Sequence, residues 1–233
     1  MARLLAGFGT YPTYFRELRE LNRRGPHVYG DYPTLASLDV VTVERLVDDG
    51  AVVVDVRPIA SFTAGHVPGS LSIELRAQFS SWLGWLVGRD RPLVFVVDAD
   101  QDRDELVRQC LAIGYEHLGG ELVGGVGAWR ANGRPVATVA LVGPDEADGT
   151  VVDVRQRIEF DAGHVPGAVG MELGDAAVLG RTLPAGPVTL MCGHGERAMT
   201  AASILPSQGR ADVSVLIGGP ADVAAARGRR LVG

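Results

Sequence analysis

The sequence predicts an α/β protein of two similar domains, each a mainly parallel sheet flanked by helices, and three observations lead there. Short apolar runs alternate with helix-forming stretches, the pattern of strands buried between helical layers. A segment also recurs: Val52-Val53-Val54-Asp55-Val56-Arg57 followed by Ala64-Gly65-His66-Val67-Pro68-Gly69 returns as Thr150-Val151-Val152-Asp153-Val154-Arg155 and Ala162-Gly163-His164-Val165-Pro166-Gly167. Asp55 is displaced from Asp153 by the same distance along the chain as His66 is from His164, so the two copies share one register. Finally, 233 residues suit two domains of roughly 100 residues each.

Residues 1–33 have no counterpart in the second copy and form a lead-in, with a helix expected over Tyr14–Asn22 before Arg23-Arg24-Gly25-Pro26. The first domain, 34–137, begins with a helix over Thr42–Asp48 and a buried strand over Val52–Asp55. A turn with Pro58, the Gly65–Gly69 loop and a strand over Ser70–Ile73 follow. The apolar positions from Glu74 to Val87 read as one helix; then come a strand over Leu93–Val97, a helix over Asp104–Ile113, a strand over Leu118–Val123 and a helix over Val126–Ala131. The turn-rich stretch Gly133–Gly149 joins the domains. In the second, 138–233, strands are expected at Val139–Val142, Val151–Asp153, Val188–Met191 and Val213–Ile217. The helix after Cys192 runs to Leu205, stopped by Pro206.

Composition removes several function classes. With 46% hydrophobic and 21% charged residues each half can bury a core, and a net charge of −6 offers no basic surface for nucleic acid. All 22 basic residues are arginine, which excludes Schiff-base chemistry on lysine. No apolar run approaches the ~18 residues that span a bilayer, and no secretion signal is recognisable, so a cytoplasmic protein without a membrane is expected. The two cysteines, Cys110 and Cys192, lie in different copies, which argues against a structural disulfide.

The chemistry-bearing stretch is Cys192-Gly193-His194-Gly195-Glu196-Arg197, between the strand-forming Val188–Met191 and a helix. A strand that ends in cysteine, a glycine-bearing loop and a helix start bring one thiol to converging backbone N–H groups and the positive end of a helix. The thiolate is the nucleophilic form, and such surroundings beside an arginine favour it. Aligning the later parts of the copies on Arg197 with Arg103 and Gly219 with Gly125 sets Cys192 opposite Asp98 and Gly195 opposite Gln101. The first copy therefore lacks the nucleophile, and Asp98, Asp100 and Asp102 there repel anions.

Asp-Val-Arg, Gly-His-Val-Pro-Gly, Cys-x-x-Gly-x-Arg and Gly-Gly, in that order, resemble the rhodanese (thiosulfate sulfurtransferase-like) domain, twice over, across residues 34–233. The stretches Gly9–Arg16, Ser81–Leu86 and Cys192–Ala198 further resemble the C-terminal part of proteins in which a metallo-β-lactamase-fold domain, similar to persulfide dioxygenases, precedes tandem rhodanese domains. The metal-binding His-x-His-x-Asp-His signature of that fold is missing, so neither metal nor other cofactor is expected. The resemblance implies a sulfurtransferase in which Cys192 is the catalytic nucleophile, Gly193, His194, Gly195, Glu196 and Arg197 bind substrate, and Asp153 and Arg155 support the site. Its partners would be a small sulfur donor, thiosulfate or a low-molecular-weight persulfide, and a thiol or cyanide acceptor, with a metallo-β-lactamase-fold domain or protein as a further one. Phosphatases and arsenate reductases with related loops carry one residue more, which disfavours a tetrahedral oxyanion here.

Each residue has a plainer reading. Cys192 could be a small core hydrophobe, although flanking glycines and Arg197 argue otherwise, and Cys110 is expected in the core. His66 and His164, present in both copies, read as loop-closing residues; Asp153 and Arg155 read as a scaffold ion pair, and Trp82 and Trp85 as packing. The rival function is a non-catalytic sulfur- or redox-sensing interaction module.

Overall fold

The computed structural model describes residues 23, 25 and 30–233; the expected Tyr14–Asn22 helix lies outside them. The chain divides into two compact units. One joins the described residues up to Pro58 with His66–Ala137, the other Ile59–Gly65 with Thr138–Gly233.

In the first half the elements are β1 (Ser37–Leu38), α1 (Val40–Asp48), β2 (Val52–Asp55), α2 (Ile59–Ala64), β3 (Leu71–Ser72), α3 (Phe79–Leu86), β4 (Leu93–Val96), α4 (Arg103–Ala112), β5 (Leu118–Leu122) and α5 (Gly125–Ala131). The second half has β6 (Ala140–Val142), β7 (Thr150–Asp153), α6 (Arg157–Asp161), β8 (Val169–Gly170), a 3-10 turn (Leu173–Asp175), α7 (Leu179–Thr182), β9 (Val188–Met191), α8 (Glu196–Ile204), a second 3-10 turn (Leu205–Gln208), β10 (Val213–Leu216) and α9 (Pro220–Ala226). The two five-stranded sheets run β1-β5-β4-β2-β3 and β6-β10-β9-β7-β8, the same order in each copy, and every strand pairing is parallel. The sequence repeat is therefore a repeat of topology.

The central strands β2, β4, β7 and β9 are buried on both faces, as their apolar runs require. In the first unit Val53, Val94 and Val96 pack with Val43, Leu122, Val126 and Trp129, and in the second Val151 and Met191 pack with Val165, Leu216 and Val223. Fixed register then places the chemistry. Asp153 pairs with Met191 across β7 and β9, and the Val154 N–H donates to the Met191 carbonyl at 2.8 Å, so Cys192 leaves the sheet beside Val154 and Arg155. That is the carboxyl edge of a parallel sheet, where such folds place their sites.

The structure shortens one expected helix: of the residues from Glu74 to Val87, only Phe79–Leu86 form α3. Ile73 and Leu75 donate their N–H groups to the carbonyls of Asp55 and Val56, which ties the chain to the end of β2, and a bend and turn over 75–78 then lead into α3. The helix after Cys192 ends at Ile204, one residue short of the expected Leu205, and Pro206 sits inside the 3-10 turn that follows. Four helices appear where the sequence was read as loop or left unassigned: α2, α6, α7 and α9.

Candidate active site

Cys192 lies at the end of β9 and is completely buried. The backbone N–H of Gly195 donates to its Sγ at 3.1 Å. Gly195 can do this because it holds φ of +112°, left-handed backbone that residues with a side chain rarely adopt. It is also the N-cap of α8, and no side chain caps that end. The first-turn N–H groups of α8 are thus directed toward the loop, where they favour negative charge.

Arg197 stands in the first turn of α8. Its guanidinium makes a two-pronged ion pair with Glu159 of α6, Nη1 to Oε2 at 2.6 Å and Nη2 to Oε1 at 3.0 Å. Burial pulls this guanidinium down, but the Glu159 hydrogen bonds and the negative charges of Cys192, Glu159 and Asp153 outweigh it and hold Arg197 above its ordinary value. In turn, the Glu159 carboxyl sits below its usual range, chiefly because it accepts hydrogen bonds from Arg197. Glu159 also closes a capping box at the start of α6 by accepting from the Gln156 N–H at 3.1 Å. Glu159 was missed as a site residue. Its signal was available, since the register of the copies sets it opposite Ser61 while Asp153, Arg155 and Phe160 have identical counterparts in Asp55, Arg57 and Phe62.

Asp153 is fully buried at the end of β7, and Arg155 binds it through Nε at 2.9 and 3.0 Å and through Nη2 at 2.7 Å. The same Nη2 donates to the Gly163 carbonyl at 2.8 Å, tying the strand end to the Gly163–Gly167 loop. Asp55 and Arg57 repeat the pairing at 2.8 and 2.6 Å. There burial pushes the Asp55 carboxyl up in spite of the guanidinium beside it. Asp153 and Arg155 therefore hold the floor of the site in place and face each other. The two loop histidines act structurally too: His66 and His164 make matching antiparallel bridges to Ala137 and Val232, and the His164 ring stacks on Phe160 at 3.8 Å.

The rest of the loop divides by exposure. Gly193 is half-buried and His194 exposed at the crest, while Glu196 is half-buried at the helix start. A β-carbon on Gly219 would lie 2.9 Å from the Gly193 carbonyl oxygen, so the glycine ahead of α9 lets that segment press against the loop. Among the described residues no group of three or more His, Cys, Asp or Glu side chains is placed to hold a metal.

The corresponding loop of the first copy is built the other way round. Asp98 stands at the position of Cys192, and the carbonyls of Asp98, Ala99 and Gln101 converge on Nη1 of Arg103 at 2.7, 3.4 and 2.7 Å. Arg103 also pairs with Glu121 at 3.1 Å. Here the helix is capped: the Asp102 carboxylate accepts the N–H groups of Asp104 and Glu105 at 2.9 and 3.1 Å. The counterpart of the Gly195 N–H, that of Gln101, donates to the Asp98 carbonyl at 3.2 Å, so the donor that meets the thiol in the second copy is spent on backbone in the first. Cys110, on α4, is also fully buried, and burial pushes its thiol up to about 12, the behaviour of a core residue.

Comparison with known proteins agrees with this architecture. The family model for the rhodanese-like domain matches residues 39–132 and again 140–226. The chain is 37% identical over 75 residues to the thiosulfate sulfurtransferase GlpE of Pseudomonas fluorescens (strain SBW25), a match covering 32% of this chain and 69% of that protein. It is 37% identical over 54 residues to the chloroplastic rhodanese-like domain-containing protein 14 of Arabidopsis thaliana, covering 23% of this chain and 24% of that one. The matched part thus spans about a quarter of the plant protein. Among solved structures, a thiosulfate sulfurtransferase from Pseudomonas aeruginosa matches with a TM-score of 0.35 at 20% identity, over 90% of this chain and 46% of that one.

Proposed function

Because the chain belongs to the family of rhodanese-like domains, with two of them in tandem, we propose that it is a sulfurtransferase that carries sulfane sulfur on Cys192. The first domain contributes no nucleophile. The observation that carries this reading is the Gly195 N–H directed at the Cys192 sulfur from an uncapped helix, set against the capped and inverted loop around Asp98. Similarity to the thiosulfate sulfurtransferase GlpE supports the same reaction class.

In the first half-reaction the Cys192 thiolate attacks the outer sulfur of the donor. The donor S–S bond breaks, its electron pair leaves on sulfite or on a thiolate, and a new S–S bond forms on Cys192. The loop N–H groups and the positive end of α8 hold the terminal sulfur as an anion. In the second half-reaction cyanide or a thiolate attacks that terminal sulfur, and the electron pair of the broken bond returns to Cys192. No metal or cofactor enters either step.

A second reading follows from burial. Cys192 is as fully enclosed as Cys110, which counts against ready access by a donor and leaves a non-catalytic sulfur- or redox-sensing interaction module as the alternative to a turning-over enzyme. The polar contact at Sγ separates the two cysteines, because a core thiol needs no N–H aimed at it. Attachment to a persulfide dioxygenase-like domain belongs to the same proposal; of the stretches behind it, Gly9–Arg16 lies outside the described residues. Steady-state sulfur transfer from thiosulfate to cyanide, and from a hydropersulfide to dithiothreitol, with wild type and Cys192→Ser, tests the reading. Turnover lost in the variant supports it; no turnover by the wild type with either donor favours the sensor.

A further inference from the structure

We infer that Glu159 sets the charge of the sulfur donor: by engaging Arg197 in a two-pronged ion pair it neutralises the loop's arginine and turns the site toward persulfides and away from the thiosulfate dianion. The inference rests on the sulfur-transfer reading and adds to it a specificity-determining residue outside the cysteine loop.

Two Arg197 nitrogens are directed at the Glu159 carboxylate, at 2.6 and 3.0 Å. Nη2 also lies 3.7 Å from where a β-carbon on Gly193 would be, which puts the guanidinium against the loop backbone. It is near enough to Cys192 for the two charges to interact. An arginine so placed would ordinarily receive a second anion beside the thiolate, since its fork matches sulfonate as it matches carboxylate. Glu159 already fills that fork.

The charges around the loop point the same way. Arg155 is matched by Asp153 at 2.7 Å and Arg157 by Asp161 at 2.8 Å. Glu196 stands next to Arg197, and Asp222 accepts from the Gly219 N–H at 2.8 Å in the segment against Gly193. Every arginine named here is thus paired with a carboxylate, and Asp222 adds further negative charge. A donor that brings two negative charges to a thiolate here finds each of these guanidinium groups already engaged and only the loop N–H groups to receive it. A hydropersulfide brings at most one charge at the reacting end, and its leaving group is a singly charged thiolate.

Attack on the two donors balances without any other reagent. With thiosulfate, the thiolate takes the outer sulfur and sulfite leaves with the bonding pair; with a hydropersulfide, the thiol of the carrier leaves as its thiolate. Both give the same Cys192 persulfide, so donor charge is the variable.

The test compares kcat/KM for thiosulfate and for cysteine hydropersulfide in wild type, Glu159→Gln and Glu159→Asp, with the Tm of each. Gln keeps an acceptor for the Gln156 N–H but loses the charge. The expected result is that Glu159→Gln shifts the ratio about tenfold toward thiosulfate, mainly by lowering its KM, whereas Glu159→Asp stays near wild type. Equal loss with both donors would show a merely structural role and overturn the inference, as would an unchanged ratio with wild-type Tm. Failure of the underlying reading looks different, because wild type would then transfer sulfur from neither donor.

Discussion

The backbone N–H of Gly195 donates to the sulfur of Cys192 at 3.1 Å from a residue whose φ is +112°. A side chain at this position strains the backbone and meets Ile217 Cδ1 at 3.1 Å from its β-carbon. Gly195→Ala should therefore rotate the N–H away from the sulfur, cost about 1–3 kcal/mol of stability, and lower kcat at least tenfold. Urea unfolding and steady-state sulfur transfer check this together. Wild-type kcat in a folded variant would show that the contact is incidental.

Restoring a cysteine to the first copy should not restore chemistry there. In a Cys192→Ser background, Asp98→Cys would place a thiol in a loop whose carbonyls face Arg103 and whose helix donors are taken by Asp102. The double variant is expected to transfer no sulfur in an assay with cysteine hydropersulfide. Measurable turnover would show that the loop is silent only for lack of sulfur.

Removing one partner of a buried ion pair should unfold the second domain readily. Arg155→Ala leaves Asp153, which has no exposed surface, without the guanidinium that binds it at 2.7 Å. The expected loss is about 3–5 kcal/mol, seen as a fall in Tm of more than about 10 °C. A change of only a degree or two would mean that Asp153 is held by other contacts.

Acid should weaken the Glu159–Arg197 pair in a defined direction. The Glu159 carboxyl is held below its ordinary range, first by hydrogen bonds from Arg197. A carboxylate whose folded value is lowered contributes stability that is complete above its unfolded value, near ~4.3, and is lost as pH falls through the folded one. Glu159→Gln should accordingly lose less Tm than wild type from about pH 5 downward. Parallel Tm curves would show that the pair does not contribute to stability.

Most of the fold was legible because its signals are local. Short apolar runs marked Val52–Asp55 and Val188–Met191 as buried parallel strands, and the repeat of Asp55 and His66 at Asp153 and His164 revealed the duplicated topology. What escaped the sequence reading depends on partners distant in the chain. Residues 74–78 stay outside the helix because Asp55 and Val56 offer carbonyls to Ile73 and Leu75 and the chain then bends and turns before Phe79, contacts that periodicity does not encode. The short helices α2, α6 and α7, each six residues or fewer, carry too few turns for a hydrophobic face. Helix α9 opens with Gly219-Pro220 and Asp222, a start signal that could have been read. At the site, Cys192 and its loop stood out by residue type and spacing. Glu159 showed only as a departure from Ser61 in the other copy, and its role lies in a partner 38 positions away.

The central claim is that Cys192 carries sulfur between two half-reactions. Mass spectrometry of the intact protein after incubation with cysteine hydropersulfide and removal of excess donor tests it most directly. The account predicts one added sulfur atom, located on the peptide containing Cys192, absent from Cys192→Ser and discharged by cyanide with release of thiocyanate. An adduct that persists in Cys192→Ser, or that cyanide does not remove, would contradict it.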